Sequence, residues 1–201
     1  MSSKYLKFNE SWEEAQKWES AWHDNCANSY QEESKQIEYA KRMGLTVFGD
    51  GKRYPVIDFG GKSVIDIGGG PYSLLLKGIN LKGTVLDPLN VPEWVKGRYL
   101  AANITFIQEQ AENYCEGHYN IGLIYNCLQH TKNPKKIIEN MKKMCEIIYI
   151  HEWLDTPVSD GHIQTIKEKD LNEWLGGKGQ IGYERWNDTI TTPYYCGVFL
   201  T

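Results

Sequence analysis

Apolar positions along this chain fall into short runs separated by longer amphipathic segments. Residues 64–67, 84–86, 104–108, 121–126 and 146–151 are compact apolar or β-branched runs, expected to be strands. Between them, 72–77, 92–102 and 134–145 have helical character. The last places Ile137, Ile138, Met141 and Met144 on one face, with lysines elsewhere. Thr165 and Glu168 stand at capping-box spacing before a further helix, which Gly176 closes. Two strand-like runs, 180–186 and 194–200, end the pattern. Ahead of it, 11–43 reads as helix. Ser11 and Glu14 form a capping box, Trp12, Ala15, Trp18 and Trp22 recur at near-helical spacing, and Gly44 is a plausible stop. This stretch is one long helix or two meeting near 25–29. The Gly-rich segment 48–62 reads as a connection. Within it, 56–61 (Val-Ile-Asp-Phe-Gly-Gly) echoes 64–69 (Val-Ile-Asp-Ile-Gly-Gly), but no helical pattern follows, so only the second copy is taken as a strand leading into a site. Strand-helix alternation closed by two strands predicts an α/β fold of three layers around a mostly parallel sheet.

The run 64–67 carries Asp66 and breaks into Gly68, Gly69 and Gly70. Glycines let the main chain turn sharply and let a ligand lie against it. Strand, glycine turn and helix build a nucleotide site at the carboxyl ends of a parallel sheet. Asp87 closes the next apolar run, 21 residues after Asp66. A carboxylate there can accept hydrogen bonds from ribose hydroxyls.

Charge and length narrow the classes. A chain of 201 residues suits one domain with a real core. Lys and Arg total 22 against 26 Asp and Glu, a net charge of −4 with no basic run, which argues against a grip on a nucleic-acid backbone. No apolar stretch reaches the roughly 20 residues of a membrane span. Five cysteines without paired spacing suggest reduced thiols and a cytoplasmic setting. The 7 Trp and 13 Tyr include several Trp near the amino end, where packing or ligand contact has to account for them.

Taken together, these motifs resemble those of the class I S-adenosylmethionine-dependent methyltransferases of the small-molecule type, from about Lys62 to Met144 and more loosely to the end. Val64-Ile-Asp-Ile-Gly-Gly-Gly70 is similar to the family's first motif, and Val85-Leu-Asp-Pro88 to its second, with Asp87 at the ribose-binding acid. Phe106-Ile-Gln-Glu-Gln-Ala-Glu-Asn113 is similar to the third, with Gln110 beside Ala111 where an adenine-contacting Asp is usual. Tyr119 to Thr131 is similar to the fourth and places Asn126, Cys127 and Leu128 beside the cofactor. The sequence departs from the pattern at Pro71-Tyr72, where a further glycine is expected. Gln110 keeps a carbonyl acceptor but carries no charge.

The resemblance implies a Rossmann-like methyltransferase fold: a seven-stranded, mostly parallel sheet with an antiparallel last strand. It divides the chain into an N-terminal helical lid over 1–47 and a core over 62–201. It implies S-adenosyl-L-methionine as cofactor, held by Asp66, Gly68, Gly69, Gly70, Tyr72, Asp87, Pro88, Gln110, Ala111, Asn126 and Cys127. It also implies a small-molecule acceptor methylated at oxygen or nitrogen. Trp22 and Tyr30 are the lid residues expected nearest the substrate. Asp66 has a rival role as a cap on the turn's amides.

A hydroxyl acceptor needs a base. His151 is the first candidate, because the end of its strand should face the ligand crevice, and His130 is the second. His151, Glu152, Asp155 and His162 read as metal ligands would match no firm spacing, so no metal is assigned. Two other readings stay open. One is a nicotinamide-dependent oxidoreductase, though Ser73 stands where its fingerprint wants Gly or Ala. The other is a methyltransferase-like domain that binds without turnover.

Overall fold

A computed structural model describes residues 11–26, 30–49, 54–185 and 191–201. Eight strands form one sheet. They are β1 (Val47–Phe48), β2 (Val56–Ile67), β3 (Gly78–Asp87), β4 (Ile104–Gln108), β5 (Tyr119–Tyr125), β6 (Cys145–Trp153), β7 (Gln180–Arg185) and β8 (Thr191–Leu200). The order is β4-β3-β2-β5-β6-β8-β7, with β1 antiparallel to β2 beside the path. The pairs from β4 to β6 are parallel, and β8 runs antiparallel to both β6 and β7. The expected seven strands and antiparallel last strand are present, and β1 is an addition. Chain order reverses between β2 and β5, which opens a crevice at their carboxyl ends.

Among the described residues, five α-helices flank the sheet: α1 (Trp12–Cys26), α2 (Tyr30–Arg42), α3 (Glu93–Ala101), α4 (Pro134–Met144) and α5 (Glu168–Leu175). Alternation along the buried strands feeds two cores. Val64, Val85 and Leu123 pack with Ile37 and Ala40 of α2 and Val95 and Tyr99 of α3. Their neighbours Ile65, Leu86 and Ile124 pack on the other face with Ile138 and Met141 of α4 and Leu171 of α5.

The amino-terminal helical stretch is described as two helices, α1 and α2, and residues 27–29 lie outside the described residues. Ser11 Oγ accepts from Glu14 N–H at 3.2 Å, as its capping position implies. The C-terminus of α2 closes as expected at Gly44 (φ +87°), and Leu45 N–H reaches back to Ala40 O at 2.9 Å. Asn133 caps α4 by accepting from Lys136 N–H. The last strand-like runs are β7 and β8. Of the first, Trp186 lies outside the described residues.

Three local expectations need correction. The segment read as a connection includes 56–61, which is strand: the two echoing runs form one long β2. Its first half pairs with β1 and the start of β3, and the register shifts between Asp58 and Lys62. Gly60 and Gly61, both at positive φ, produce that irregularity without ending the strand. The helix expected over 72–77 is a short 3₁₀ turn, Leu74–Lys77, because the chain enters β3 at once. Thr165 caps nothing. Its hydroxyl donates to Thr156 O, and α5 starts only at Glu168. Among the described residues, no helix is long and apolar enough to cross a membrane.

Candidate functional site

The site begins where β2 stops. Gly68 takes φ +71°, and its N–H donates to Leu86 O at 2.8 Å. A Cβ here would lie 2.3 Å from Cys127 Sγ, so position 68 has no room for a side chain. Two residues on, Gly70 N–H donates to Asp87 Oδ2 at 3.0 Å. The other Asp87 oxygen accepts from Leu89 N–H at 2.9 Å. Asp87 is buried, and burial raises its pKa against the pull of His23 and the two amides.

Behind the turn lies a hydrogen-bonded frame. Tyr99 OH donates to Gly70 O at 2.7 Å and accepts from Ser73 N–H. Tyr125 OH donates to Asp66 Oδ2 at 2.6 Å and accepts from Leu74 N–H. Ser73 Oγ donates to the same carboxylate oxygen at 2.5 Å and accepts from Leu75 N–H. Asp66 is fully buried, and burial pushes its carboxyl up to about 7 despite these donors. It therefore supports the turn from behind.

A cavity of about 120 Å³ opens in front of the turn. Gly68, Gly69, Gly70, Tyr72, Asp87, Pro88, Ala111, Asn126 and Cys127 line it, as does Trp22. Asp66 and Gln110 are not among its lining residues, and neither is Tyr30, which is 75% exposed. Asn126 holds a left-handed turn (φ +49°) beyond β5, and its N–H donates to His151 O. The next two amides, of Cys127 and Leu128, donate to the Glu152 carboxylate at 3.0 and 3.1 Å.

The opposite wall comes from α1 and α2. Trp12, Gln16, Glu19 and His23 of α1 face the cavity, joined by Glu32, Lys35, Gln36 and Tyr39 of α2. The His23 ring sits 3.2 Å from where a Cβ on Gly70 would lie, directly over the glycine turn. Tyr72 OH donates to Glu33 at 2.8 Å, and Lys77 pairs with Glu33 at 2.7 Å, so α2 is tied to the turn and the 3₁₀ segment behind it. Gln16, Glu19 and His23 of this stripe are not among the residues expected from the sequence, which on the lid were Trp22 and Tyr30. The stripe's signal was present in the spacing 12, 16, 19, 23, which puts four polar or aromatic side chains on one helical face.

The histidines separate. His130 lines the cavity, with Nδ1 2.9 Å from both Glu19 Oε1 and Gly161 O, and Nε2 3.2 Å from Gln129 Nε2. Burial lowers its pKa, but Glu19 more than reverses this and the net shift is upward. His151 does not face the crevice. Strand β6 continues through it to Trp153, and its ring turns to the α2 side, stacked 4.2 Å from Tyr39 and 5.1 Å from Tyr194. It is fully buried, and burial and Arg42 push its pKa down to about 3. Asp155 pairs with Lys167, and His162 packs edge-on against His130. Among the described residues, no three His, Cys, Asp or Glu side chains are grouped to hold a metal ion.

No protein-family model matches the chain, and no curated protein does. Solved structures do match. One is mitomycin 7-O-methyltransferase, with TM-score 0.54 and 17% identity over 82% of this chain and 53% of the other. A putative methyltransferase from Bacillus halodurans gives 0.51 and 13%, over 76% and 71% of the two chains. A magnesium protoporphyrin IX methyltransferase from Synechocystis with bound SAH gives 0.50 and 15%, over 69% and 73%. The fold is the methyltransferase fold. At these identities the likeness is one of fold, and the chain spans about half the length of the mitomycin enzyme.

Proposed function

We propose that the chain is an S-adenosylmethionine-dependent methyltransferase acting on an oxygen or nitrogen of a small molecule. The observation that carries this reading is the junction of Gly70 and Asp87. A glycine turn without side chains and a buried carboxylate meet at 3.0 Å on the wall of one cavity, at the carboxyl ends of β2 and β3. Each Asp87 oxygen accepts one backbone N–H and keeps a lone pair for ribose hydroxyls. Ala111, Asn126 and Cys127 extend the same wall.

The geometry disfavours a dinucleotide. A pyrophosphate needs free N–H groups at a helix start. Here the amides of Ser73, Leu74 and Leu75, at the start of a four-residue 3₁₀ turn, already donate to Tyr99, Tyr125 and Ser73 hydroxyls. In this reading α1 and α2 are the lid, and catalysis rests mainly on positioning, since a sulfonium is already a good leaving group. His130 is the base for a hydroxyl acceptor: Glu19 and Gly161 O orient Nδ1, and Nε2 exchanges its Gln129 amide partner, 3.2 Å away, for the acceptor's proton. Calorimetry with S-adenosylhomocysteine and with NAD tests the assignment. Heat from the first and none from the second supports it, and the reverse result overturns it.

A further inference from the structure

The amide that His130 gives up on taking a proton belongs to Gln129, a side chain with a second, unused end. Gln129 sits on the short 3₁₀ turn Leu128–His130 and is only 1% exposed. Its main chain is pinned, since Gln129 O accepts from Ile163 N–H at 3.0 Å. Its Nε2 donates to Asn126 Oδ1 at 3.0 Å and lies 3.2 Å from His130 Nε2. Its carbonyl oxygen is buried and has no hydrogen-bond partner. Buried acceptors without partners are rare, because each forfeits its hydration. The imidazole sets the sense of the contact. His130 Nδ1 lies 2.9 Å from Gly161 O, which can only accept, so Nδ1 carries a hydrogen. In the neutral ring Nε2 is then an acceptor, and the Gln129 amide suits it. In the cation Nε2 carries a hydrogen as well, and two donors face each other. A carboxamide resolves this by turning over, which exchanges oxygen and nitrogen with almost no change of shape.

We propose that Gln129 is a positioning residue whose carboxamide turns over when His130 gains a proton, and that Asn126 turns with it. In the turned state the Gln129 oxygen accepts from His130 Nε2–H, a charge-assisted bond stronger than the neutral one it replaces. The oxygen left without a partner beside the neutral ring is the acceptor that the cation needs. Asn126 Oδ1 then meets an oxygen, so its own carboxamide turns to donate through Nδ2. Asn126 lines the cavity, so the wall registers the charge of the base. During turnover the acceptor hydroxyl displaces the Gln129 amide and its proton moves to the Nε2 lone pair. Once the methylated product has left, Gln129 returns oxygen first, and the proton passes later to water. Glu19 of α1 and Glu152 of β6 favour the cation, and His162 of the loop after β6 packs edge-on against the ring. These groups bias the charge of His130, and Gln129 answers it. The proposal rests on the reading of His130 as the base and adds the residue that holds the base in each of its charge states.

The test is nuclear magnetic resonance of the full chain labelled with nitrogen-15, titrated from about pH 5 to 9. The His130 ring gives the midpoint, and the side-chain amide signals of Gln129 and Asn126 give their response to it. In the parent both amides are expected to shift with the His130 midpoint. In Gln129→Met the Asn126 signal should lose most of that shift, while any direct effect of the ring's charge persists. The His130 midpoint there should fall by about 0.5 to 1 pH unit, because the cation loses its acceptor. Gln129→Glu keeps an acceptor and loses the donor, so in that variant the midpoint should rise. The backbone spectra show whether each variant is folded. Parent amides that ignore the His130 midpoint overturn the proposal, as does an Asn126 shift as large in Gln129→Met as in the parent. A midpoint unmoved in both variants does the same. With an acceptor found by screening, Gln129→Met is expected to lower kcat about 10-fold and to leave KM near the parent's. Full turnover in His130→Ala removes the base reading and with it the catalytic role of Gln129, while the titration still decides the switch.

Discussion

Glu19 Oε1 lies 2.9 Å from His130 Nδ1, joining the first helix to the loop that follows β5 across the mouth of the cavity. Both side chains are nearly buried. The pair is the polar core of a larger clasp. Lys132 Nζ stands 4.0 Å from the centre of the Trp12 ring, and a Cβ on Gly161 would meet both Trp18 and Glu19. Helix α1 is therefore held against this loop by the Glu19–His130 and Glu13–Lys132 ion pairs and a few aromatic contacts.

That arrangement makes docking of α1 depend on pH from both sides. For Glu19, burial opposes ionisation, but the His130 ring 2.9 Å away outweighs it and the pKa falls below its usual 4.5. His130 moves the other way, above its usual 6.5. The stabilisation from Glu19 is present above 4.5 and is lost as pH falls through its lowered value. That from His130 is present below 6.5 and is lost as pH rises through its raised value. His23, His162 and Glu152 also act on this pair and set where the edges fall. Hydrogen-exchange protection factors of α1 should peak between about 4.5 and 6.5. Glu19→Gln should flatten the profile, and an identical profile in that variant would remove the ion pair as the latch.

Gly68 offers a direct check on the turn. Gly68→Ala places a methyl group 2.3 Å from Cys127 Sγ at a positive φ. Overpacking of this kind costs about 1–3 kcal/mol. The same methyl group displaces the strand ending that shapes the cavity, so affinity for S-adenosylhomocysteine should be lost. Cys127→Ala in the same chain should recover part of the stability and not all, since the backbone strain remains. Denaturant titration reads the stability. A Gly68→Ala protein as stable and as tightly binding as its parent would show that the turn relaxes freely.

The glycine turn, Asp87 and the fourth motif were legible because their chemistry is local. A strand ending in three glycines and a carboxylate closing the next strand each carry their signal within a few residues. Short apolar runs alternating with helical segments likewise pointed to three layers around a mostly parallel sheet. What escaped depends on contacts distant in sequence. The 56–61 run looked like a connection because Gly60 and Gly61 resemble a turn, yet pairing with β1 and β3 holds it extended. Asp66 looked like a ligand contact, but its place behind the turn is set by Tyr125, 59 residues away. The direction of His151 depended on how far β6 continues, which pairing with β8 decides.

His151 and His130 should behave in opposite ways. His151 is packed among Tyr39, Trp153 and Tyr194, with Arg42 3.5 Å from its Nε2. His151→Ala should destabilise the protein by roughly 2–4 kcal/mol, as for other large-to-small core changes, and leave affinity for S-adenosylhomocysteine unchanged. His130→Ala should leave that affinity close to normal and lower turnover by about 10² to 10⁴, read as S-adenosylhomocysteine release with an acceptor found by screening. Full turnover in the His130 variant would show that no base is needed there, and a turnover loss confined to the His151 variant would return that residue to the mechanism.

Glu152 gives a test of the site's foundations that needs no ligand. It is fully buried, and burial pushes its pKa up to about 7 against the two amides of Cys127 and Leu128. An acid raised on folding holds a proton that the unfolded chain has released, so its contribution is present below about 4.5 and is lost as pH rises towards 7. The slope for one such group is up to about 1.4 kcal/mol per pH unit. Asp66 behaves the same way, so the parent alone cannot assign the effect to one residue. Glu152→Gln removes the titration and keeps one carbonyl acceptor for the two amides. Measured by urea unfolding at several pH values, the variant should gain on its parent steadily between pH 4.5 and 7. If the two stabilities instead run parallel across that range, Glu152 is ionised in the folded protein, and the amides of Cys127 and Leu128 then hold a full negative charge beneath the cavity.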